Sequence, residues 1–267
     1  MTGTIRIERI AVVVPARNEE RLLPRCLDAL SRAVTAVGSV GDPCPPGVSV
    51  VIVLDRCTDS SAEVAAGFPK FVAIRTNLGA VGSARRAGVR EVVPARHRTR
   101  HTWIATTDAD SAVPENWLTT QLTFARNGVD LVLGTVRPDE CLAAADQERW
   151  LAQHELVEGH PHVHGANLGV RADRYFAAGE FARTDAHEDV RLVGALRELR
   201  VREISTARIA VLTSGRLAGR APSGFAGFLR AHVNAAPDSA ASNRTAENSA
   251  AESGAAENSE GFVTTGG

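Results

Sequence analysis

No Cys-x-x-Cys pair occurs in this chain of 267 residues; Cys26, Cys44, Cys57 and Cys141 lie far apart. That spacing argues against a structural zinc site and predicts a reduced setting, with the thiols serving as small core residues. Lysine is almost missing. Lys70 is the only one, the other basic side chains are arginine, and a single arginine is therefore weak evidence of function. No apolar run approaches the ~20 residues of a membrane-spanning helix. The opening residues Met1-Thr2-Gly3-Thr4-Ile5-Arg6 lack the cationic-then-apolar pattern of a secretory leader. These absences predict a cytoplasmic protein with no transmembrane segment, leaving peripheral membrane contact open. A formal net charge of −1 gives no electrostatic case for a nucleic acid partner. The first apolar run is not followed by G-x-G-x-x-G, which disfavours a dinucleotide oxidoreductase.

What is present is an alternation of two periodicities. Ile10 to Val14 is a β-branched run, the signature of a strand buried on both faces. From Glu19 to Val37 the apolar residues Leu22, Leu23, Cys26, Leu27, Leu30 and Val34 recur at helical spacing, and Gly38 follows as a stop. A turn-rich connector, 41–47, leads to a strand over Val48–Leu54 and a helix from Ser60 to Ala66. Phe71–Ile74 and Thr102–Thr106 read as strands, with a helix over Gly82–Val92 between them. Further on, Leu131–Gly134 and Ile204–Leu212 read as strands, and Leu142–Val157 and Val190–Arg197 as helices. Strands alternating with helices imply a mostly parallel sheet flanked by helices on both faces. After about His232 the chain becomes Ala, Ser, Glu, Asn and Gly with almost no large apolar residue, too little to offset its ordering entropy. The expected organisation is one α/β domain over 1–232 and a disordered low-complexity tail over 233–267.

In open α/β sheets ligands bind at the carboxyl ends of the strands. Three polar clusters begin there: Pro15 to Glu20, Asp55 to Ser61 and Asp108 to Ser111. The last contains Asp108-Ala109-Asp110. Two carboxylates one residue apart, where a strand runs out, suit Mg²⁺ or Mn²⁺ held against a diphosphate, because these cations take oxygen ligands and share them with substrate phosphates. Asp59 is expected to cap the helix that follows it. His160, His162 and His164 fall on one face of an extended segment, near His154 and His187 in sequence. They can be read as a zinc or copper site, as acceptor contacts or as surface residues.

Taken in order, these clusters resemble the family 2 glycosyltransferases of GT-A fold, over roughly Ile10 to Arg220. The landmarks are Val14-Pro15-Ala16-Arg17-Asn18-Glu19-Glu20, Ile52 to Ser61, Asn77-Leu78-Gly79 through Ala84-Arg85-Arg86-Ala87-Gly88, Asp108-Ala109-Asp110, and His187-Glu188-Asp189-Val190-Arg191-Leu192. The resemblance implies a single GT-A domain with a Rossmann-like sheet that binds a nucleoside-diphosphate sugar with Mg²⁺ or Mn²⁺. It places Pro15, Arg17, Glu19, Asp55, Arg85 and Asp108 at the nucleotide, and Asp110 on the metal, with Asp108 reaching the ribose or a metal-bound water. It makes Asp189, beside Glu188, the general base of an inverting transfer, and Gly165 to Arg171 an acceptor-side segment. Thr213-Ser214-Gly215-Arg216 and Arg220 follow a strand and read equally as diphosphate contacts or as surface arginines, and His232 resembles the late metal ligand of some GT-A enzymes. Two departures stand out. The nucleotide loop has Leu54-Asp55 where the family often has adjacent acids. Gln147-Glu148-Arg149-Trp150 is one residue short of the processive Gln-x-x-Arg-Trp motif and precedes Asp189, so a single addition to a small or lipid-linked acceptor is expected. The alternatives are a sugar-phosphate nucleotidyltransferase, which would carry a Gly-rich basic loop after the first strand, and a non-catalytic nucleotide-sugar-binding protein.

Overall fold

A computed structural model describes residues 5–39, 41–93, 99–153, 156–184 and 186–216. The expected tail, His154, Arg220 and His232 lie outside the described residues. The elements run β1 (Arg9–Ala16), α1 (Leu23–Ser39), β2 (Gly47–Asp55), α2 (Ser61–Ala66), β3 (Val72–Thr76), α3 (Val81–Val92), β4 (Thr102–Thr106), β5 (Ser111–Ala112), α4 (Trp117–Arg126), β6 (Leu131–Pro138), α5 (Ala144–Gln153), β7 (Leu168–Arg171), α6 (Ala172–Ala177), α7 (Glu188–Glu198) and β8 (Glu203–Thr213). One sheet takes all the strands in the order β3-β2-β1-β4-β7-β6-β8-β5. β1 pairs in parallel with β2 and β4, β2 with β3, and β6 with β8. β7 lies antiparallel between β4 and β6, and β5 is antiparallel to β8. The sheet is therefore mostly parallel, as the alternation of periodicities predicts.

Why the sheet needs cover on both faces follows from its central strands. In β1 the residues from Ile10 to Val14 are all buried. Ala11, Val13, Val51 and Val53 join one core cluster with Ala84 and Val89 of α3, Tyr175 of α6 and Leu192, Val193 and Leu196 of α7. The alternate residues Val12, Val14, Val50, Ile52 and Leu54 are equally buried on the other face, the consequence of a side-chain period of two. α3 packs close against the strands at Gly88. A Cβ at Gly88 would stand 2.5 Å from Val13 Cγ1 and 2.8 Å from Val53 Cγ2, so this position accepts no side chain without moving the helix off the strands.

β2, β1 and β4 are adjacent and parallel, so their carboxyl ends open at one edge. There the chain leaves into 17–20, 55–61 and 107–111, the three polar clusters singled out above.

The described structure corrects several expectations. The helix read over Leu142–Val157 covers only Ala144–Gln153, and Leu156 and Val157 are not helical; Gly159, with φ +80°, and Pro161 follow at once. Of the four cysteines only Cys26 is a core residue: Cys57 is half-buried, while Cys44 and Cys141 are exposed. α4 was missed from the sequence, although Trp117, Leu118, Gln121, Leu122 and Ala125 are buried at helical spacing and Asn127-Gly128 follows as a stop. β7 had no such signal. Its four residues run straight into α6, and only the neighbours β4 and β6 define it as a strand.

Candidate active site

The centre of the site is a buried guanidinium. Arg85 stands on α3 and is 3% exposed. Its Nη2 donates to Asp108 Oδ1 at 2.5 Å, and its Nη1 donates to Glu188 Oε1. One side chain thus ties the acidic loop after β4 to the start of α7. Small residues make room for it. A Cβ at Gly165 would lie 2.5 Å from Arg85 Nη1, and one at Gly82 would meet the Ala182 carbonyl at 2.0 Å and Glu188 Cβ at 2.9 Å. The Phe181 ring lies under the guanidinium, 5.8 Å from its centroid. Burial pushes the Glu188 carboxyl up from its ordinary value, and Arg85 opposes this. Removing one partner of a buried pair leaves an uncompensated charge. Arg85→Met is accordingly expected to lower unfolding free energy by about 3–5 kcal/mol, read as a shifted urea midpoint at unchanged slope. A loss below about 1 kcal/mol would show that the pair carries no more than a surface contact.

Two loops beside β1 are knitted together. The Asn18 side chain accepts from Thr58 N at 2.7 Å, the Ser61 hydroxyl accepts from Glu19 N at 2.8 Å, and Asp59 accepts from both Glu20 N and Ser61 N. The N-cap position of α2 falls to Ser60 rather than to Asp59, which was expected to cap it; Asp59 instead closes a turn onto Ser61 N and fastens the first loop through Glu20 N. Asp55 accepts from Thr76 Oγ1 and Leu78 N through Oδ1, and from Gly79 N through Oδ2, at 2.9, 2.6 and 2.8 Å. Most of its acceptor capacity thus goes to ordering the 76–79 loop. Gly79 sits at φ +81°, a backbone conformation that a residue with a side chain rarely adopts. Pro15, next to last in β1, is half-buried, and Arg17, just beyond the strand, is exposed.

Across β1 from Asp55, the Asp108–Asp110 loop carries a surplus of negative charge. The Asp108 side chain is 36% exposed and Asp110's is 19% exposed. Burial, and then the neighbouring Asp108, pushes the Asp110 carboxyl up to about 7. Glu19 adds a third carboxylate, bound by Arg216, whose Nη2 also reaches Asp110 Oδ2 at 3.0 Å. Oxygen ligands crowded in a poorly solvated place are what a hard divalent cation relieves, so the residues fit Mg²⁺ or Mn²⁺ with Asp110 and Asp108 as ligands. Among the described residues no group of three His, Cys, Asp or Glu side chains is arranged to hold an ion unaided; substrate oxygens would complete the shell.

Asp189 lies next to Glu188 in the first turn of α7. Its Oδ2 accepts from Gly165 N at 2.7 Å and its Oδ1 from Val190 N at 2.8 Å. Gly165 is in turn held by Thr106 Oγ1, which donates to its carbonyl at 2.7 Å. The start of the 165–171 segment is thus fixed between β4 and α7. Asn167 within it has a structural task. Its Nδ2 donates to the carbonyls of Thr135 and Ile209 at 2.8 and 2.7 Å, and its Oδ1 accepts from Trp117 Nε1 at 2.9 Å, filling the register shift between β6 and β8 near Gly134. His160, His162 and His164 stack with ring centroids 5.7 and 5.9 Å apart; they do not converge on a point as metal ligands would. His160 is buried, with neither ring nitrogen hydrogen-bonded.

Sequence reasoning missed the supporting residues Arg25, Asp139 and Gly215. Arg25 donates to Asp139 Oδ2 at 2.8 Å and to the Asp110 carbonyl at 3.0 Å, while Gly215 N donates to Asp139 Oδ1 at 2.9 Å. No motif marks them, because their roles depend on long-range folding.

Residues 11–164 match glycosyl transferase family 2, and the chain belongs to that family. The matched stretch ends before Glu188 and Asp189. No curated protein matches the sequence significantly. Among solved structures, S. aureus TarS 1-349 in complex with UDP superposes with TM-score 0.58 at 14% identity, over 78% of this chain and 61% of that one. The mannosyltransferase PcManGT from Pyrobaculum calidifontis, in complex with GDP-Man and Mn²⁺, gives 0.57 at 18%, over 80% and 58%. Glucosyl-3-phosphoglycerate synthase from Mycobacterium tuberculosis, in complex with Mg²⁺ and UDP, gives 0.51 at 14%, over 78% and 72%. At these identities the likeness establishes the GT-A-type fold, and the chain spans about six-tenths of the first two structures. No helix among the described residues is long and apolar enough to cross a membrane.

Proposed function

We propose that this chain transfers one sugar, with inversion, from a nucleoside-diphosphate sugar to a hydroxyl of a small or lipid-linked acceptor, using Mg²⁺ or Mn²⁺. The observation that carries the reading is Arg85: one buried guanidinium joins Asp108, at the donor end of the sheet, to Glu188, the neighbour of Asp189. The three structures named above contain UDP or GDP-Man, two of them with a divalent cation, which supports the same donor class.

The loops after β1 and β2 would receive base and ribose, with Asp55 fixing the 76–79 loop that closes over them, and Pro15, Arg17 and Glu19 lining the opposite side. Asp110 and Asp108 would hold the cation. When bound, it supplies charge stabilisation to the departing diphosphate. Asp189 would take the proton from the acceptor hydroxyl as that oxygen attacks the anomeric carbon, on the face away from the diphosphate. Two backbone N–H groups fix its carboxylate, so no reorganisation is needed at the moment of transfer. Arg85 and Glu188 act as positioning residues. They hold the α7 start, and so Asp189, against the donor loop.

Ligand linkage gives a direct test, since anything that binds only the folded state raises its melting temperature. With UDP, GDP and ADP each tried alongside Mn²⁺, at least one nucleotide is expected to raise Tm, and the cation or the nucleotide alone to do so less. No shift with any pair would overturn the assignment.

A further inference from the structure

The cation ligand Asp110 already has a cation of the protein's own beside it. Arg216 follows β8, and its guanidinium grips both oxygens of Glu19, at 2.9 and 2.5 Å, while lying 3.0 Å from Asp110 Oδ2. Its backbone is fastened rather than loosely draped. The Ser111 hydroxyl donates to Thr213 Oγ1 at 2.8 Å, and Gly215 N donates to Asp139 Oδ1. A Cβ at Gly215 would stand 2.6 Å from Leu142 Cβ. Arg25 then links Asp139 back to the Asp110 carbonyl. The strap that delivers Arg216 is thereby tied to the acidic loop it neutralises.

A planar guanidinium is always charged and pairs well in this fork geometry. It offsets part of the repulsion among Glu19, Asp108 and Asp110, and it competes with any second cation for Asp110. Two cations a few ångströms apart repel unless more negative charge is brought in. A diphosphate brings it.

We propose that Arg216 is a built-in counter-ion which Asp110 exchanges for the divalent cation, keeping nucleotide-free cation binding weak and coupling tight cation binding to arrival of the diphosphate. Arg216 keeps its hold on Glu19 during the exchange, and its charge is then shared with the diphosphate. The inference rests on Asp110 being the metal ligand, as proposed above. By linkage, a nucleotide that tightens cation binding is itself tightened by the cation to the same factor.

The test is a Mn²⁺ titration of the full chain, following free Mn²⁺ by electron paramagnetic resonance, with and without UDP or GDP. Without nucleotide, Arg216→Gln is expected to bind Mn²⁺ about tenfold more tightly than wild type, about 1.4 kcal/mol, close to one charge-assisted hydrogen bond. The factor by which nucleotide tightens Mn²⁺ binding should shrink in the same variant. Arg216→Lys keeps the charge and should retain the weak nucleotide-free affinity. Nucleotide-free binding unchanged or weakened in Arg216→Gln overturns the proposal, and so does an equal gain in Arg216→Lys. Asp110→Asn separates the two readings. If it loses Mn²⁺ while Arg216→Gln behaves as wild type, only the counter-ion role fails; if it binds Mn²⁺ normally, the metal assignment fails and this inference with it.

Discussion

Asp189→Asn is expected to lower turnover by about 10²–10⁴-fold, the usual contribution of a positioned general base, while leaving donor affinity unchanged. The substitution is nearly isosteric, and its consequences can be read from the two bonds the carboxylate accepts, from Gly165 N and Val190 N. The new amide oxygen can serve one of these donors, whereas the amide nitrogen, itself a donor, cannot serve the other. One lost bond predicts a stability decrease of about 1 kcal/mol, far short of unfolding the domain. A collapse in kcat with calorimetric donor binding intact and a small fall in Tm would therefore isolate the proton transfer. A variant with normal turnover would remove Asp189 as the base, and inversion with it, because that stereochemical expectation rests on this residue.

The sheet was legible because its signals are local. The run Ile10–Val14 is buried throughout and falls inside β1, and Thr102–Thr106 gives β4 with the bounds read from sequence. The carboxyl-end rule then directed attention to Asp55, Asp108 and Asp110, and β2, β1 and β4 do bring their ends to one edge. What the sequence hid is pairwise. Arg85 was read as a nucleotide contact, and its burial between Asp108 and Glu188 could not be read from the sequence. Asp55 reads as a base contact, yet it also serves as the anchor of the 76–79 loop. Asn167 sits in a segment read as acceptor-facing and proves to be a plug in a strand irregularity. Each role depends on residues far away in the chain, and no spacing rule encodes such partners. The strap from Thr213 to Arg216 is of the same kind, since only folding brings Asp139 and Glu19 to it.

In the proposed reaction Asp108 and Asp110 hold a divalent cation against a pyrophosphate. Asp110 sits where burial and like charge make its ionised form costly without a counter-ion, and shortening it to alanine leaves Asp108 as the sole carboxylate of the loop. The decisive measurement is a calorimetric titration of UDP and GDP into wild type and Asp110→Ala, each with Mn²⁺ and with the cation chelated. The wild-type protein is expected to bind one of these nucleotides in a Mn²⁺-dependent manner, and Asp110→Ala to lose the Mn²⁺-dependent part of the affinity. Equal Mn²⁺-dependent binding by the two proteins, or wild-type affinity indifferent to chelation, would contradict that expectation.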